Sequence, residues 1–361
     1  LAQQGVSRRV PKSKVYYELH DSLLSLSPTP DFTGAIDSLQ QAIVHGKADM
    51  YGTTKHPASQ LLLEYQCALT HLMRYSVRYE GLEDAEASVY HMLKYSFQRK
   101  DKAQLAMTPM RALAYLDANM LASVMRNWGH SALAQRANTA KPFVYASRPH
   151  GMELRIGLVS FDFGSKHPMM HLLDAIFPLF ENRREVRVFV YALGPEHPTR
   201  RAPIDANAKV VPGGIFLHDE LAARVHKFTS LYGLSDYDAA RAIFNDAVDV
   251  LIDLNGFTNG GRPEMFAYRP GRIQVGFLGW PCTIGSSELL DFAFVDPKST
   301  MVESVALKRH YEEKLLIVPP SLFVGDHRRK LPRPQGGANR FANRSALSIP
   351  NKAFVFANHN Q

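Results

Sequence analysis

Short apolar segments alternate with helical stretches between residues 154 and 318, and this alternation limits the possible folds more than any other feature of the chain. The apolar segments are rich in Val, Ile and Leu and have the length of single strands: 154–160, 186–193, 249–254, 273–280, 291–295 and 314–318. Helical patterns occupy 169–180 and 219–245. Strands that are apolar on both faces predict a parallel sheet covered by helices. The expected class is therefore α/β, doubly wound, with ligands at the carboxyl ends of the strands.

The residues before this region follow a helical pattern. Asp31 is a suitable N-cap for a helix with Ile36 on its apolar face, and further helices are expected after Pro57 and Pro109, the last of them broken near Gly129. Successive helices with short joints suggest an αα-repeat or an all-α cap, although no convincing 34-residue repeat is present.

Four regions follow from these patterns: a helical region at 1–137, a polar, Pro- and Gly-containing linker at 138–153, an α/β lobe at 154–330, and a final segment at 331–361. The final segment ends in a predicted strand around Phe356. Because the chain starts at Leu1 and stops soon after that strand, we expect further sequence at both ends.

Charge and composition narrow the class of partner. The formal net charge of +8 is scattered in short clusters, which favours an ordinary solvated surface over a nucleic-acid site, while leaving acidic ligands such as nucleotide phosphates open. Cys67 and Cys282 cannot form a disulfide framework or a paired metal motif, which fits the cytoplasm or nucleus. No apolar run reaches 18 residues and no secretory signal is visible, so no membrane partner is expected.

The first candidate site is the loop after the strand at 154–160. Pro168 suits the first turn of a helix, which places His167 near its N-cap and His171 one turn further on. A single imidazole at a strand end can accept a hydroxyl proton, but a capping and packing pair is an equal alternative. No acidic third ligand has zinc spacing, so no metal site is expected.

Two further loops follow strands. The Gly-rich loop that starts at Asn255 either lets the backbone approach a phosphate or sugar or serves only as a tight turn. It matches neither the G-x-G-x-x-G pattern of dinucleotide-binding folds nor the Walker A pattern. The loop that contains Gly279 and Thr283 is another turn where backbone amides can face a ligand. Cys282 has no adjacent base, so a nucleophilic cysteine is not expected. Residue chemistry alone therefore predicts an α/β enzyme lobe with a histidine in its cleft.

Three long strings carry a resemblance to a known family. They are LRIGLVSFDFGSKHPMMHLL at 154–173, DVLIDLNGFTNGGRPEMFAYRPGRIQVGFLGWPCTIGS at 249–286 and LFVGDH at 322–327. In this order and spacing they resemble the protein O-linked N-acetylglucosamine transferases, from about residue 78 to the end. The resemblance implies one Rossmann-like lobe of a two-lobed GT-B glycosyltransferase, with tetratricopeptide repeats upstream that bind protein substrates and can support oligomers.

The implied reaction transfers N-acetylglucosamine from UDP-N-acetylglucosamine to Ser or Thr hydroxyls of proteins, with inversion and without metal or cofactor. By resemblance, His167 is the base, Asp246 relays the proton and Gln361 contacts the nucleotide. Gly279 and Thr283 are the further predicted donor contacts, and His171 and Asn255 support the site. Since most donor contacts belong to the other lobe, the chain alone is expected to be inactive.

The sequence also departs from the family pattern. Ser165 and Lys166 separate Gly164 from His167 where the family has one residue, Asp249 replaces a histidine of animal members, and the large insertion between lobes is absent. Protein O-fucosylation, as in the Spindly-like branch, and a non-catalytic scaffold that binds proteins through its helices remain the alternative functions.

Overall fold

The computed structural model describes most of the helical region and most of the α/β lobe. The described residues are 31–51, 57–77, 79–99, 107–147, 151–163, 167–173, 176–181, 183–195, 221–298, 308–318 and 321–324. Predictions for Gln361, for the strand around Phe356 and for the lobe boundary at 330 lie outside these residues.

Most of the described residues before the lobe are helical. We call its five described helices the helical block: α1 (Phe32–Tyr51), α2 (Pro57–Tyr75), α3 (Leu82–Arg99), α4 (Pro109–Tyr115) and α5 (Ala118–Ala137). Asp31 caps α1 as predicted, because its carboxylate accepts the Gly34 N–H at 2.9 Å. The apolar faces of α1, α2 and α3 share one core, in which Ile36, Leu39 and Tyr65 are fully buried. A repeat-like origin for these helices remains a prediction.

The predicted break at Gly129 is wrong. The chain breaks at Leu116 and Asp117, where the Asp117 carboxylate accepts the N–H groups of Asn119 and Met120 and so starts α5. Gly129 lies inside α5, where it permits a close contact rather than a bend. A Cβ at this position would lie only 3.0 Å from the carbonyl carbon of Gly285 in the lobe.

Within its described residues, the lobe forms a seven-stranded sheet with every neighbouring pair of strands parallel, which confirms the α/β class. Its strands are β1 (Leu154–Ser160), β2 (Val186–Ala192), β3 (Lys227–Ser230), β4 (Val250–Asp253), β5 (Ile273–Gly276), β6 (Phe292–Val295) and β7 (Lys314–Ile317). They lie in the order β3-β2-β1-β4-β5-β6-β7. The described helices of the lobe are α6 (Pro168–Leu173), α7 (Phe177–Phe180), α8 (Asp236–Asn245) and α9 (Pro263–Phe266).

Both faces of the sheet are covered, because neighbouring residues of each strand point to opposite sides. On one face Val159 and Tyr191 pack with residues of α8 and α9. On the other face Leu158 and Val190 pack with residues of α6 and α7. This two-sided burial is the reason why the strands of the lobe are apolar in successive positions.

Part of the predicted linker at 138–153 packs against the lobe. The Phe143 N–H donates to the Tyr268 carbonyl at 2.8 Å, and the Phe143 ring stacks on Phe244 of α8 at 4.6 Å between centroids. The Arg272 guanidinium lies 4.5 Å from the centroid of the Tyr145 ring. Residues 141–147 therefore form an ordered strap along the lobe.

The helical block also packs on the lobe. Trp128 of α5 contacts Phe257 edge to face at 6.2 Å, and Phe257 contacts Trp280 in the same way at 5.5 Å. Arg126 pairs with Glu312 at 2.5 Å. In the parts of the chain covered above, no helix is both long and apolar enough to cross a membrane.

Candidate active site

The site lies at the carboxyl ends of β1 and β4. In the observed strand order the chain runs outward from β1 to one edge of the sheet and from β4 to the other. A crevice forms at such a switch point, and ligands of doubly wound folds bind there. The loop after β1 leads to His167, and the loop after β4 begins with Asn255.

Asn255 joins these two loops. Its side-chain oxygen accepts the Phe161 N–H at 2.6 Å, and its side-chain nitrogen lies 3.0 Å from both Asp162 Oδ2 and Thr258 Oγ1. Asn255 is only 1% exposed, so these bonds form away from water and fix the spacing of the loops. Asn255, which the sequence predicts as a supporting residue, thus lies in the crevice with both its side-chain oxygen and nitrogen hydrogen-bonded.

Asp253, the last residue of β4, holds the backbone beneath Asn255. Its carboxylate accepts the N–H groups of Asn255 at 2.9 Å and of Gly256 at 3.1 Å. Burial raises the pKa of Asp253 to about 6, although these hydrogen bonds act in the opposite direction. Gly256 turns with a φ of 57°, and a Cβ there would collide with Trp280.

His167 sits at the mouth of the crevice, with about half of its side chain exposed. Its Nδ1 lies 3.3 Å from the Met169 amide nitrogen, which donates to it, and 3.9 Å from Asp162 Oδ2. The first contact is the helix-capping role considered from the sequence. The second contact places a carboxylate beside the imidazole, as a proton-accepting histidine would need. The geometry therefore fits both the capping and the proton-accepting interpretation.

The loop after β5 closes the other side of Asn255. β5 ends at Gly276, earlier than predicted, because Leu278 turns the chain with a φ of 62°. Gly279 then passes so close to Leu254 that a Cβ would collide with the Leu254 carbonyl, and its own N–H donates to Phe277 at 2.8 Å. A non-glycine residue at positive φ stores strain, and such residues cluster at functional sites.

Thr283 stabilises this loop from within. It is 3% exposed, its hydroxyl donates to Glu313 Oε2 at 2.6 Å, and the same oxygen accepts the Gly285 N–H at 2.9 Å. Glu313 also accepts the Ile284 N–H at 2.5 Å, and burial raises its pKa. The Thr283 side chain is therefore occupied inside the loop and does not face the crevice.

The structure does not bring Asp246 together with His167. Asp246 ends α8 and precedes the amino end of β4, where its carboxylate accepts from Tyr191 Oη at 2.9 Å and from Lys227 Nζ at 2.6 Å. Its carbonyl accepts from Arg155, near the start of β1. His167 follows the other end of β1, and seven residues of strand span roughly 20 Å. This separation conflicts with a proton relay directly between the two residues.

The remaining predicted residues are less fully placed. His171 lies within α6, but its side chain and Gln361 are outside the described part of the structure. Among the described residues, no group of three His, Cys, Asp or Glu side chains is arranged to hold a metal ion. Asp162, Asp253 and Glu313 were not predicted as site residues; for the first two, a carboxyl group at a strand end was the available signal.

A comparison of this chain with protein families decides its membership. The model of glycosyl transferase family 41 matches residues 129–337, which is more than half of the chain. The chain belongs to glycosyl transferase family 41. The match begins at Gly129 of α5, the residue that packs against Gly285, and it includes all seven strands of the sheet.

Curated relatives point to the same family. The chain is 30% identical over 261 residues to an Arabidopsis thaliana protein named as a probable UDP-N-acetylglucosamine–peptide N-acetylglucosaminyltransferase SEC, covering 70% of this chain and 24% of that protein. A Caenorhabditis elegans UDP-N-acetylglucosamine–peptide N-acetylglucosaminyltransferase is 34% identical over 194 residues, 53% of this chain and 15% of its own length. The chain thus spans a quarter or less of these two relatives.

A solved structure shares the fold. A mutant O-GlcNAc transferase of Thermobaculum terrenum matches with a TM-score of 0.50 and 19% sequence identity, over 87% of this chain and 59% of that one. The family 41 lobe described above therefore has the α/β architecture of that enzyme.

Proposed function

We propose that the protein transfers N-acetylglucosamine from UDP-N-acetylglucosamine to Ser or Thr hydroxyls of proteins. One observation carries the proposal: an exposed imidazole, His167, lies beside a carboxylate at the switch point of the sheet. Membership of family 41 and the names of the plant and nematode relatives support this choice of donor and acceptor.

In the proposed reaction the acceptor hydroxyl attacks the anomeric carbon as the bond from that carbon to the diphosphate breaks. UDP leaves with the bonding electron pair, and the hydroxyl proton passes to His167. A single displacement of this kind inverts the anomeric centre, and a positioned base contributes about 10²–10⁴-fold to the rate. We propose that the reaction needs no metal ion and takes place in the cytoplasm or nucleus.

The donor contacts in this chain are proposed to be few. Gly279 allows the loop after β5 to lie against Asn255, and Thr283 preserves the shape of that loop. Gln361 remains our predicted nucleotide contact. The other donor contacts are assigned to a second lobe, as the resemblance implies. We therefore expect residues 1–361 alone not to catalyse sugar transfer.

Transfer of labelled sugar tests the proposal directly. The full-length protein is incubated with a protein extract and either UDP-N-acetylglucosamine or GDP-fucose. Labelling from the first donor alone is the expected result. Labelling from GDP-fucose would instead support protein O-fucosylation, the alternative left open by the sequence, and labelling from neither donor would support a scaffold function.

The role of His167 is tested in the same assay. His167→Ala is expected to lower kcat by at least about 100-fold, since it removes the proposed base. His130→Ala changes an exposed histidine of α5 and is the matched control, which should retain activity. Unchanged turnover by His167→Ala would contradict the role of His167 and leave the sugar transfer itself intact.

A further inference from the structure

His167 Nδ1 faces two competing partners. The Met169 amide can only donate, so it favours the imidazole tautomer with a free Nδ1 lone pair and a proton on Nε2. The Asp162 carboxylate can only accept, so it favours the tautomer with the proton on Nδ1. Only the second tautomer leaves Nε2 able to take a proton, and the tautomer of a histidine is set by the hydrogen bond at its other nitrogen.

Hydrogen bonds hold both the backbone and the carboxylate of Asp162 in the crevice. Its N–H donates to Ser160 Oγ at 3.0 Å, and its Oδ2 accepts from the nearly fully buried Asn255 at 3.0 Å. The Asp162 side chain is 18% exposed, against 49% for His167. The carboxylate is thus anchored to β4 through Asn255, whereas the imidazole is half exposed, and a hydrogen bond between them requires the 3.9 Å separation of Nδ1 and Oδ2 to shorten.

We propose that Asp162 is a positioning residue that holds the Nδ1–H tautomer of His167, and that Asn255 fixes Asp162 for this purpose. The Nδ1–H group donates to Asp162 Oδ2, and Nε2 receives the proton of the acceptor hydroxyl as that oxygen bonds to the anomeric carbon. After transfer the imidazole carries both protons, and the adjacent carboxylate stabilises the positive charge. The proposal rests on the proposed function of the protein, but the arrangement of protons on His167 can be measured without turnover.

The first test reads the two ring nitrogens of His167 by NMR in protein labelled with ¹⁵N-histidine. The chain has 15 histidines, so His167 is assigned as the resonance that is lost in His167→Ala. The wild type is expected to populate the Nδ1–H tautomer. Asp162→Ala should shift the ring towards the Nε2–H tautomer, because the Met169 amide then no longer competes with the Asp162 carboxylate. An identical tautomer ratio in the two proteins would overturn the proposal.

The Asp162→Ala substitution leaves the neighbouring loop with a hydrogen bond, because Asn255 Nδ2 still reaches Thr258 Oγ1 at 3.0 Å. Asp162→Asn removes the charge and replaces one of the two acceptor oxygens with an NH2 donor, so it should give a tautomer ratio between those of wild type and Asp162→Ala. Asp238→Ala removes an exposed carboxylate of α8 that pairs with Arg241, and it should leave His167 unchanged.

The second test uses kinetics of the full-length protein. Asp162→Ala is expected to lower kcat by about 10- to 100-fold, the loss typical of residues that orient a functional side chain, with KM changed by less than about threefold. Asp162→Asn should recover part of kcat. A loss confined to KM would overturn the proposal. If His167→Ala is fully active while the tautomer still depends on Asp162, the proposed function of His167 fails and the Asp162–His167 contact stands.

Discussion

At the scale of single residues, the crevice is built from polar side chains that hold other polar side chains. Asp253 holds the backbone at Asn255, Asn255 holds Asp162, and Asp162 faces His167. Each of the first two links is buried or nearly so, and hydrogen bonds in that environment are stronger than in water. The exposed imidazole is therefore supported by an interior network that begins at the end of β4.

Asp253 makes the stability of this network depend on pH. Burial raises the pKa of Asp253 from 3.8 to about 6, so the folded protein keeps the carboxyl proton over a range in which the unfolded chain has lost it. The corresponding stability is fully present below about pH 4 and is lost as the pH rises through about 6; the shift is equivalent to about 3 kcal/mol.

Asp253→Asn should remove this dependence, because the amide oxygen can accept the same N–H groups without ionising. Urea denaturation of both proteins at several values between pH 4 and 7.5 measures the effect. The stability of the variant relative to wild type should increase towards pH 7.5. A constant difference across the range would mean that Asp253 does not ionise as inferred.

At the scale of elements, the contact between α5 and the loop after β5 depends on two glycines. A Cβ at Gly129 would lie 3.0 Å from both the Gly285 carbon and the Ile284 oxygen, and a Cβ at Gly285 would collide with the Met125 carbonyl. Backbone therefore packs directly on backbone across the boundary between the helical block and the lobe, and neither side has a flexible side chain that could yield.

Gly129→Val should overpack this contact and lower the free energy of unfolding by about 1–3 kcal/mol. Ala134→Val is the matched control, because Ala134 is exposed in the same helix. This substitution should lower the free energy of unfolding only by the lower helix propensity of valine, less than about 0.7 kcal/mol. Equal effects in urea denaturation would show that the helix does not press on the lobe at Gly129.

Most elements could be predicted from the sequence, and the exceptions have physical reasons. The bounds of β1 are predicted correctly because apolar residues make up most of the strand. β3 was missed because it has only four residues, begins with Lys227, and pairs with β2 alone at the edge of the sheet. The predicted strand after Ile273 was too long because Phe277 and Leu278 are apolar but belong to a turn.

The site was predictable only in part. His167 and Asn255 could be found because each follows a strand end and carries useful chemistry. Asp162 could not be joined to them, because its partner Asn255 is 93 residues away and only the pairing of β1 with β4 brings them together. Asp246, predicted by resemblance, lies before the amino end of β4, where it forms an ion pair with Lys227.

At the scale of the whole molecule, each of the two main parts contains one cysteine. Cys67 lies in the core of the helical block and Cys282 in the loop after β5. Burial raises the pKa of Cys67 to about 12 and that of Cys282 to about 11, against 9.0 for a free thiol. The thiolate is the reactive form, so at pH 8 Cys282 should react about 100-fold more slowly than a free thiol.

Thiol labelling as a function of urea can therefore show whether the two parts unfold together. The core that contains Cys67 also receives Phe257 and Trp280 from the lobe, so we expect both cysteines to become reactive at the same urea concentration. The positions labelled are identified by mass spectrometry of peptides. Labelling of Cys67 at clearly lower urea than Cys282 would mean that the helical block unfolds on its own.

The aromatic contact from Trp128 to Phe257 and Trp280 has a consequence for how this protein can be divided or recombined. The loop that begins with Asn255 rests on a side chain of α5, which lies before the polar segment at 138–153. Dividing the protein within that segment would remove Trp128 from the lobe. The rings of Phe257 and Trp280 would then be exposed beside the crevice. The unit that can be exchanged between proteins is thus the sheet together with α5.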